Sequence, residues 1–523
     1  MFLFPRINGN CRLDHGWFTV PHTLRASIAD FDRFCLETFA RRLALEPGVG
    51  EPWLILCRDP ALPPEGYRLS VTAIGIHITA ASEEGVIHGL TTVYLALEDG
   101  KIPLCQIEDA PKYPYRGQSL DTVRHFFPLE EVERIIEQMS LVKMNVLHFH
   151  LTDDQGWRIE SHRFPRLHQV NPDYYTQEQL RQLVEFAQVR GIRIIPEIDL
   201  PGHTTAILAA YPELGCTGTA PSLAQSGGIY NTILCAGNEE VYTFLEGLLE
   251  EICDIFPDPE FHIGGDEAPK SQWCRCPKCR AKLAALGSGD FEDLQAHFTG
   301  RVAEILKKLG KRPVCWNETL KGNSVPDDLR IQFWTLDRHQ KMIDYARRGR
   351  PFVFSSMFEL YLDYPYSMTG VRKLYWMKPR IWTYDCRKAP GFLGFESTLW
   401  TEHIETPQSL EEHLFPRLYI VAEKTWSSVH DSYPRFCEKL DRLCTLAHRS
   451  GIATMPRSDW NPTDQKRRTK ALDFFQKMNG GVLDTDTPAN LEPAKPSLPF
   501  LITYVTRFFR PGDLPALAKL YFK

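Results

Sequence analysis

Short apolar runs alternate with longer amphipathic stretches over the central part of the chain, from residue 115 onward. Each run has the length of a buried strand, and each stretch repeats its apolar residues at helical spacing. The predicted strands are Tyr115–Thr122, Asn145–Leu151, Ile192–Leu200, Phe261–Gly265, Pro313–Trp316, Leu329–Trp334, Phe352–Met357 and Phe392–Leu399. The predicted helices are Leu129–Val142, Thr176–Arg190, Phe291–Leu309, Arg338–Arg348 and Leu410–Trp426. Eight strands with intervening helices predict an α/β fold, a (β/α)8 TIM barrel.

The regions on either side of this repeat have other patterns. Two alternating runs within Tyr67–Ala80 predict a strand pair or a bulged strand, and Glu83–Glu98 has one apolar helical face. We therefore expect a small α+β domain over residues 1–110 and the barrel over residues 111–430. In the remaining extension, residues 431–523, Ser432–His448 predicts a helix. Asp484–Pro499 is rich in Pro, Thr and Asp and is typical of a linker.

Composition and charge exclude several classes of partner. The chain is 43% hydrophobic and 24% charged, with a formal net charge of −6, and it has no basic stripe of the kind that nucleic-acid binding requires. No run approaches the ~20 apolar residues that span a bilayer, so we expect no membrane span. The first residues lack the basic segment and apolar core of a secretory leader. We therefore expect a cytoplasmic location, with reduced cysteines.

Polar side chains follow the carboxyl ends of most predicted strands, where the mouth of a barrel lies. They are Arg124, Asp153, Asp154, Asp199, His203, Asp266, Glu267, Glu318, Tyr361, Asp363 and Glu402. One acid after a strand is most often a helix cap, but acids and bases after so many strands indicate a shared site. Trp316, Trp334, Trp376 and Trp400 would give this mouth flat, dry walls suited to stacking a sugar ring.

The adjacency of Asp266 and Glu267 restricts the chemistry. An ordinary retaining glycosidase places two carboxyl groups ~5–5.5 Å apart on opposite sides of the anomeric carbon. Neighbours that leave one strand point in different directions, so they approach a substrate from the same side and do not flank it. This fits a reaction in which one carboxyl is the general acid. The nucleophile would be the substrate's own acetamido group, steadied by the other carboxylate.

Several motifs in order along residues 111–428 resemble glycoside hydrolase family 20, the β-N-acetylhexosaminidases. They are DTVRHFFP (121–128), NVLHFHLTDDQGWRIE (145–160), PEIDLPGH (196–203), HIGGDE (262–267), WNE (316–318), YLDY (361–364) and LWTE (399–402). The segment GYRLSV…GIHITA is similar to the zincin-like domain that precedes the barrel in this family. The resemblance implies an exo-acting, retaining enzyme that removes terminal GlcNAc or GalNAc through an oxazolinium intermediate. Its substrate would be a carbohydrate: a glycan, a chitooligosaccharide or a glycolipid terminus.

The same resemblance implies a role for each matching residue. Glu267 would be the general acid/base, and Asp266 would orient the acetamido nitrogen and stabilise the intermediate. Tyr361 would hydrogen-bond the acetamido oxygen, and Asp153 and His203 would form a relay toward Glu267. The residues expected to bind or surround the sugar are Arg124, Asp199, Trp316, Trp334, Asp363, Trp376, Trp400 and Glu402.

Two other function classes remain as alternatives. His148 and His150 form a His-x-His on a predicted strand, as in metal-dependent barrel amidohydrolases, but the fifth and sixth strands do not end in the further histidines such enzymes use. A structural role for both histidines is therefore favoured. A catalytically inactive sugar-binding relative would lack Asp266 or Glu267, and both are present.

The cysteines raise a separate question about metal. Cys274, Cys276 and Cys279 are close together, but a zinc site needs four ligands, usually on two arms, and no second arm is obvious. Free thiols or a disulfide are therefore expected here, and a bound zinc ion with a structural role remains the alternative. We expect no metal and no cofactor in the active site.

Overall fold

The N-terminal domain is a six-stranded sheet with a helix packed on it. The computed structural model describes residues 1–28, 30–483, 504–513 and 515–517 of the chain. The strands of this sheet are β1 (Asn10–Thr19), β2 (Ala26–Ser27), β3 (Leu54–Arg58), β4 (Tyr67–Thr72), β5 (Gly75–Ala80) and β6 (Lys101–Asp109). They lie in the order β1-β6-β4-β5-β3-β2. The helices are α1 (Glu37–Arg42) and α2 (Glu83–Ala96). The β4–β5 hairpin is the predicted strand pair, with Tyr67 opposite Ala80.

The central part of the chain is a closed barrel of eight parallel strands, as predicted. These are β7 (Tyr115–Asp121), β8 (Val146–His150), β9 (Arg193–Glu197), β10 (Glu260–His262), β11 (Arg312–Trp316), β12 (Arg330–Phe333), β13 (Phe352–Phe354) and β14 (Phe392–Leu399). They follow one another around the barrel in chain order, and β14 pairs with β7 to close it. Strands covered on both faces bury nearly every residue, which explains their continuous apolar runs.

Amphipathic helices surround the barrel. They are α3 (Leu129–Leu141), α4 (Gln177–Gln188), α5 (Thr205–Ala210), α6 (Glu239–Ile255), α7 (Ser271–Arg275), α8 (Pro277–Ala285), α9 (Phe291–Lys308), α10 (His339–Arg347), α11 (Val371–Trp376), α12 (Pro407–Leu414) and α13 (Arg417–Trp426). The prediction of one continuous helix over Leu410–Trp426 is wrong in the middle of this range. Pro416 divides it into α12 and α13, because proline has no N–H to continue the hydrogen-bond ladder.

The extension beyond the barrel is partly described. Helix α14 (Tyr433–Arg449) buries Phe436, Leu440 and Leu443, and α15 covers Asp464–Leu483. Phe508 packs against Phe358 and Tyr364, beside the mouth of the barrel. The predicted linker, Asp484–Pro499, lies outside the described residues. Among the described helices, none combines the length and the apolar character that crossing a membrane requires.

Candidate active site

The loop after β10 places Asp266 and Glu267 at the carboxyl end of the barrel. Gly264 and Gly265 precede them with φ angles of 61° and 101°. A Cβ on Gly264 would lie 1.7 Å from Asp199 Oδ1, so only glycine fits this turn. Glu267 itself adopts a positive φ of 45°, and its backbone N–H donates to Glu318 Oε2 over 2.8 Å. The chain therefore turns sharply here and presents two adjacent carboxyls to one space.

The two carboxyls have different surroundings. The side chain of Glu267 is 28% exposed. The Asp266 Oδ1 atom is closed off from solvent and has no hydrogen-bond partner among the described residues. Burial raises the pKa of Asp266 to about 7; the nearby His203 opposes this shift, whereas Glu267 adds to it. Asp266 is thus a buried acceptor without a donor, and Glu267 can reach a solvent-borne substrate.

A series of polar groups in close contact leads from Glu267 into the barrel. His203 Nε2 lies 3.6 Å from Glu267 Oε2, and its Nδ1 lies 3.1 Å from Asp153 Oδ1. The other oxygen of Asp153 lies 3.0 Å from His150 Nε2. Burial alone would lower the pKa of His203, but Asp153 raises it well above its usual value. The predicted pair of Asp153 and His203 is therefore brought together beside Glu267, with His203 held as a cation.

The histidines that suggested a metal centre are tied to carboxylates inside the barrel. His148 lies between Glu396, at 2.9 Å from Nδ1, and Glu197, at 3.2 Å from Nε2. His150 bonds Glu197 through Nδ1 and Asp153 through Nε2. Burial lowers the pKa of His148, but Glu396 and then Glu197 outweigh it and raise the value to about 10. Protonated imidazoles cannot ligate a metal, which favours the structural role predicted for both.

Aromatic side chains form one wall of the site. The rings of Trp334 and Tyr361 are stacked at 6.2 Å with a 19° interplanar angle. Tyr361 lies 6.2 Å from Trp400, which lies 6.1 Å from Trp316. Trp316 is anchored by its indole N–H, which donates to Glu197 Oε1 over 2.8 Å. Three of the four predicted tryptophans therefore lie together with Tyr361 around one space.

Charged groups lie next to this aromatic wall. Arg124 forms ion pairs with Asp153 at 2.7 Å and Asp121 at 3.2 Å, and its guanidinium lies 3.9 Å from Glu402. It also lies over the ring of Trp400, 5.1 Å from the centroid. The Asp363 Oδ1 and Trp334 Nε1 atoms are buried and, within the described part of the chain, lack a hydrogen-bond partner. With Asp266 Oδ1 they make three unsatisfied polar groups at one mouth, each costing ~1–3 kcal/mol unless a ligand satisfies it.

Comparison with known proteins identifies this arrangement. The model of the glycosyl hydrolase family 20 catalytic domain matches residues 113–429, and the model of family 20 domain 2 matches residues 26–110. The chain belongs to glycosyl hydrolase family 20. The N-terminal sheet is thus domain 2 of family 20, and the barrel is its catalytic domain.

Relatives from several organisms agree with this assignment. A β-hexosaminidase of Vibrio furnissii is 33% identical over 469 residues, which are 80% of this chain and 76% of that protein. A β-hexosaminidase of Porphyromonas gingivalis is 33% identical over 431 residues, 75% of this chain and 55% of that protein. The chain therefore spans little more than half of the second relative.

Solved family 20 structures are similar over most of the chain. The β-N-acetylhexosaminidase of Bacteroides fragilis has a TM-score of 0.80 at 29% identity, covering 87% of this chain and 97% of that one. An exo-β-N-acetylglucosaminidase of Vibrio harveyi, solved with N-acetylglucosamine, has a TM-score of 0.78 at 29% identity, covering 87% and 78%.

One residue assigned from the family 20 motifs lies elsewhere. Trp376, at the end of α11, is 63% exposed and packs edge-on against its neighbour Tyr375. Tyr375 in turn packs against Phe436 of α14, so this part of α11 faces the C-terminal extension. The prediction that Trp376 lines the sugar pocket is therefore wrong. The remaining assigned residues lie at the mouth, including Asp199, whose Oδ1 accepts the N–H of Gly265 over 3.3 Å.

Sequence reasoning missed two carboxylates of this family 20 site. Asp121 ends β7 and holds both Arg124 and the N–H of Thr401. Glu197 ends β9 and joins the barrel histidines to Trp316. Each ends a strand, so the positional rule that found Asp199 could also have found them. Asp154, which that rule did find, places an oxygen 3.2 Å from His203 Nδ1.

Proposed function

We propose that the chain is an exo-acting, retaining β-N-acetylhexosaminidase that hydrolyses terminal GlcNAc and GalNAc residues by substrate-assisted catalysis. One observation carries the proposal. Asp266 and Glu267 leave the same strand end side by side, and Asp266 offers a buried, unpartnered acceptor while Glu267 is accessible. The relatives named above act within the same chemical class.

The first half of the reaction forms an internal ring. The acetamido N–H donates to Asp266, and the Tyr361 hydroxyl donates to the acetamido oxygen, which turns that oxygen toward the anomeric carbon. Attack by this oxygen breaks the glycosidic bond while Glu267 gives its proton to the leaving oxygen. The product is a cationic oxazolinium, whose charge the carboxylate of Asp266 stabilises. Fixing an internal nucleophile in this way removes much of the entropic barrier.

The second half restores the protein. Water attacks the anomeric carbon from the side that the leaving group vacated, and the bond from this carbon to the acetamido oxygen breaks. Glu267, now a carboxylate, accepts the proton of the water. Two inversions at one carbon give net retention. His203, hydrogen-bonded to Asp153, lies beside Glu267, so its ring is next to the carboxylate that the first proton transfer leaves.

Binding of the sugar follows from the remaining side chains. Trp316, Trp334 and Trp400 would enclose the acetamido group, and Arg124, Asp363 and Glu402 would bind ring hydroxyls. Asp199 would support the turn that carries Asp266. The cytoplasmic location stays a prediction; it is supported by all fourteen cysteines being unpaired, as suits a reducing compartment.

The decisive experiment compares matched 4-nitrophenyl N-acetyl-β-glucosaminide and β-glucoside. Without the acetamido group the nucleophile is missing, so we expect kcat/KM for the glucoside to be lower by several orders of magnitude. A thiazoline that mimics the cyclised sugar should inhibit strongly, because it resembles the charged state that Asp266 holds. Comparable kcat/KM values for the two substrates would refute the mechanism.

A further inference from the structure

Four cysteines that are separate in sequence converge between the loops that follow β9 and β10. Cys235 Sγ lies 3.6 Å from Cys279 Sγ and 3.7 Å from Cys276 Sγ, and Cys216 Sγ lies 3.7 Å from Cys279 Sγ. All four sulfurs lie within 4.8 Å of one another. Cys235, Cys276 and Cys279 are buried, and Cys216 is half-buried. The cluster is thus a compact, protein-enclosed group of thiols outside the sugar site.

The sulfur spacing matches a tetrahedral metal site. Four thiolates at ~2.3 Å from a central zinc ion are ~3.8 Å apart along the edges of the tetrahedron. The observed separations of 3.6–3.7 Å are close to this value. They are far longer than the ~2.05 Å bond of a disulfide. Cys276 and Cys279 also have the Cys-x2-Cys spacing that one arm of a structural zinc site uses.

The backbone around the cluster is built for close approach. Cys276 precedes the first residue of α8, so the helix begins within the Cys-x2-Cys turn. The loop after Cys235 lies directly against this turn: a Cβ on Gly237 would lie 2.3 Å from the carbonyl carbon of Lys278. Glycine is therefore required where the two arms meet. Cys216 and Cys235 provide the second pair of ligands, which the sequence did not reveal. Cys274, which is close to Cys276 and Cys279 in sequence, is exposed and lies outside the cluster.

We propose that Cys216, Cys235, Cys276 and Cys279 bind a structural zinc ion that fastens the loop after β9 to the loop after β10. Four protein thiolates close the coordination sphere, so the ion has a structural role and no open position for substrate. The first loop carries His203 and the second carries Glu267. The two loops already meet through Trp273 Nε1, which donates to the Leu234 carbonyl over 2.8 Å. Leu234 N in turn donates to the Pro201 carbonyl over 3.1 Å, within the first loop.

Metal content of the full chain tests the proposal. The protein is produced with zinc present, desalted under thiol-reducing conditions and analysed by inductively coupled plasma mass spectrometry. We expect about one zinc per chain in the wild type and in Cys274→Ser, the matched control from the same motif. We expect loss of zinc in Cys216→Ser and in Cys279→Ser, with a lower Tm, because metal binding and folding are coupled.

A second measurement covers variants that fail to fold. Cobalt(II) added to the metal-stripped wild type should give the intense visible absorption of a tetrahedral thiolate complex, and a mercurial reagent should release the zinc of the native protein. Zinc retained in both Cys216→Ser and Cys279→Ser would overturn the proposal. Stoichiometric iron in place of zinc would also overturn it, as would a wild type without zinc whose cluster thiols are oxidised to disulfides.

Discussion

The ionisation of Asp266 gives the sharpest test of the reaction. Burial raises its pKa from 3.8 to about 7, and only the carboxylate has the negative charge that stabilises the oxazolinium. The pH dependence of kcat/KM reports groups of the free enzyme. We therefore expect kcat/KM to fall as the pH drops through about 7, well above the range in which an exposed aspartate titrates.

The size of the effect follows from one ionisation. The charged fraction of a group with a pKa of about 7 is about 9% at pH 6 and about 1% at pH 5, so kcat/KM at pH 5 should be about 100-fold below its plateau. The assay should use a 4-nitrophenyl N-acetyl-β-glucosaminide. Its good leaving group needs little proton donation, so ionisation of Glu267 contributes least to the profile.

The acid limbs of the kcat and kcat/KM profiles should lie at different pH values. In the complex the acetamido N–H donates to Asp266 and favours its charged form, so the acid limb of kcat should lie at lower pH than that of kcat/KM. Asp266→Asn is the matched control, because its amide does not titrate: its residual activity should show no limb near pH 7. A kcat/KM that is level from about pH 8 to about pH 5, or a limb that persists in Asp266→Asn, would contradict the reasoning.

Two further outcomes are expected from the same pair of carboxyls. Glu267→Gln should lower kcat on an unactivated disaccharide by about 10²–10⁴-fold and leave the unfolding transition unchanged; near-normal turnover would remove the role of proton donor. Asp266→Asn should raise the free energy of unfolding at pH 8 by up to about 4 kcal/mol. The raised pKa of Asp266 means that its neutral form suits the folded state: the resulting stability is fully present below about pH 4 and is lost as the pH rises through about 7. Asparagine is neutral at every pH, so the variant keeps this stability at pH 8. Urea unfolding at pH 8 measures it, and equal midpoints would show that the Asp266 carboxylate is not destabilising.

The barrel could be predicted because its signal is local. Each strand is a short apolar run, and the ends of β7, β8, β11 and β14 fall within about two residues of the predicted bounds. The barrel also brings to one mouth the side chains that follow its strands, so Asp153, His203 and Glu267 could be grouped before any geometry was known. Helix α6 was missed although Asn238 caps it and Glu239 and Glu240 occupy its first turn, which are ordinary start signals.

Other features depend on tertiary contacts that no local pattern contains. Trp376 was grouped with the other tryptophans from the sequence, but its exposure depends on how α11 packs against α14. Cys216 and Cys235 lie far along the chain from Cys276 and Cys279, and only the packing of Gly237 against Lys278 brings them together. Local spacing favoured the run that contains Cys274, which the fold leaves exposed.

The contact between His203 and Glu267 also depends on how the loops after β9 and β10 pack together. His203 and Glu267 both adopt left-handed backbone conformations, with φ values of 51° and 45°. For residues other than glycine this conformation costs roughly 1–2 kcal/mol each, and it persists only where the surroundings impose it. Both loops also carry cysteines of the proposed zinc site. A bound ion would therefore oppose relaxation of either loop, and we expect the 3.6 Å approach of His203 to Glu267 to be the contact most sensitive to its loss.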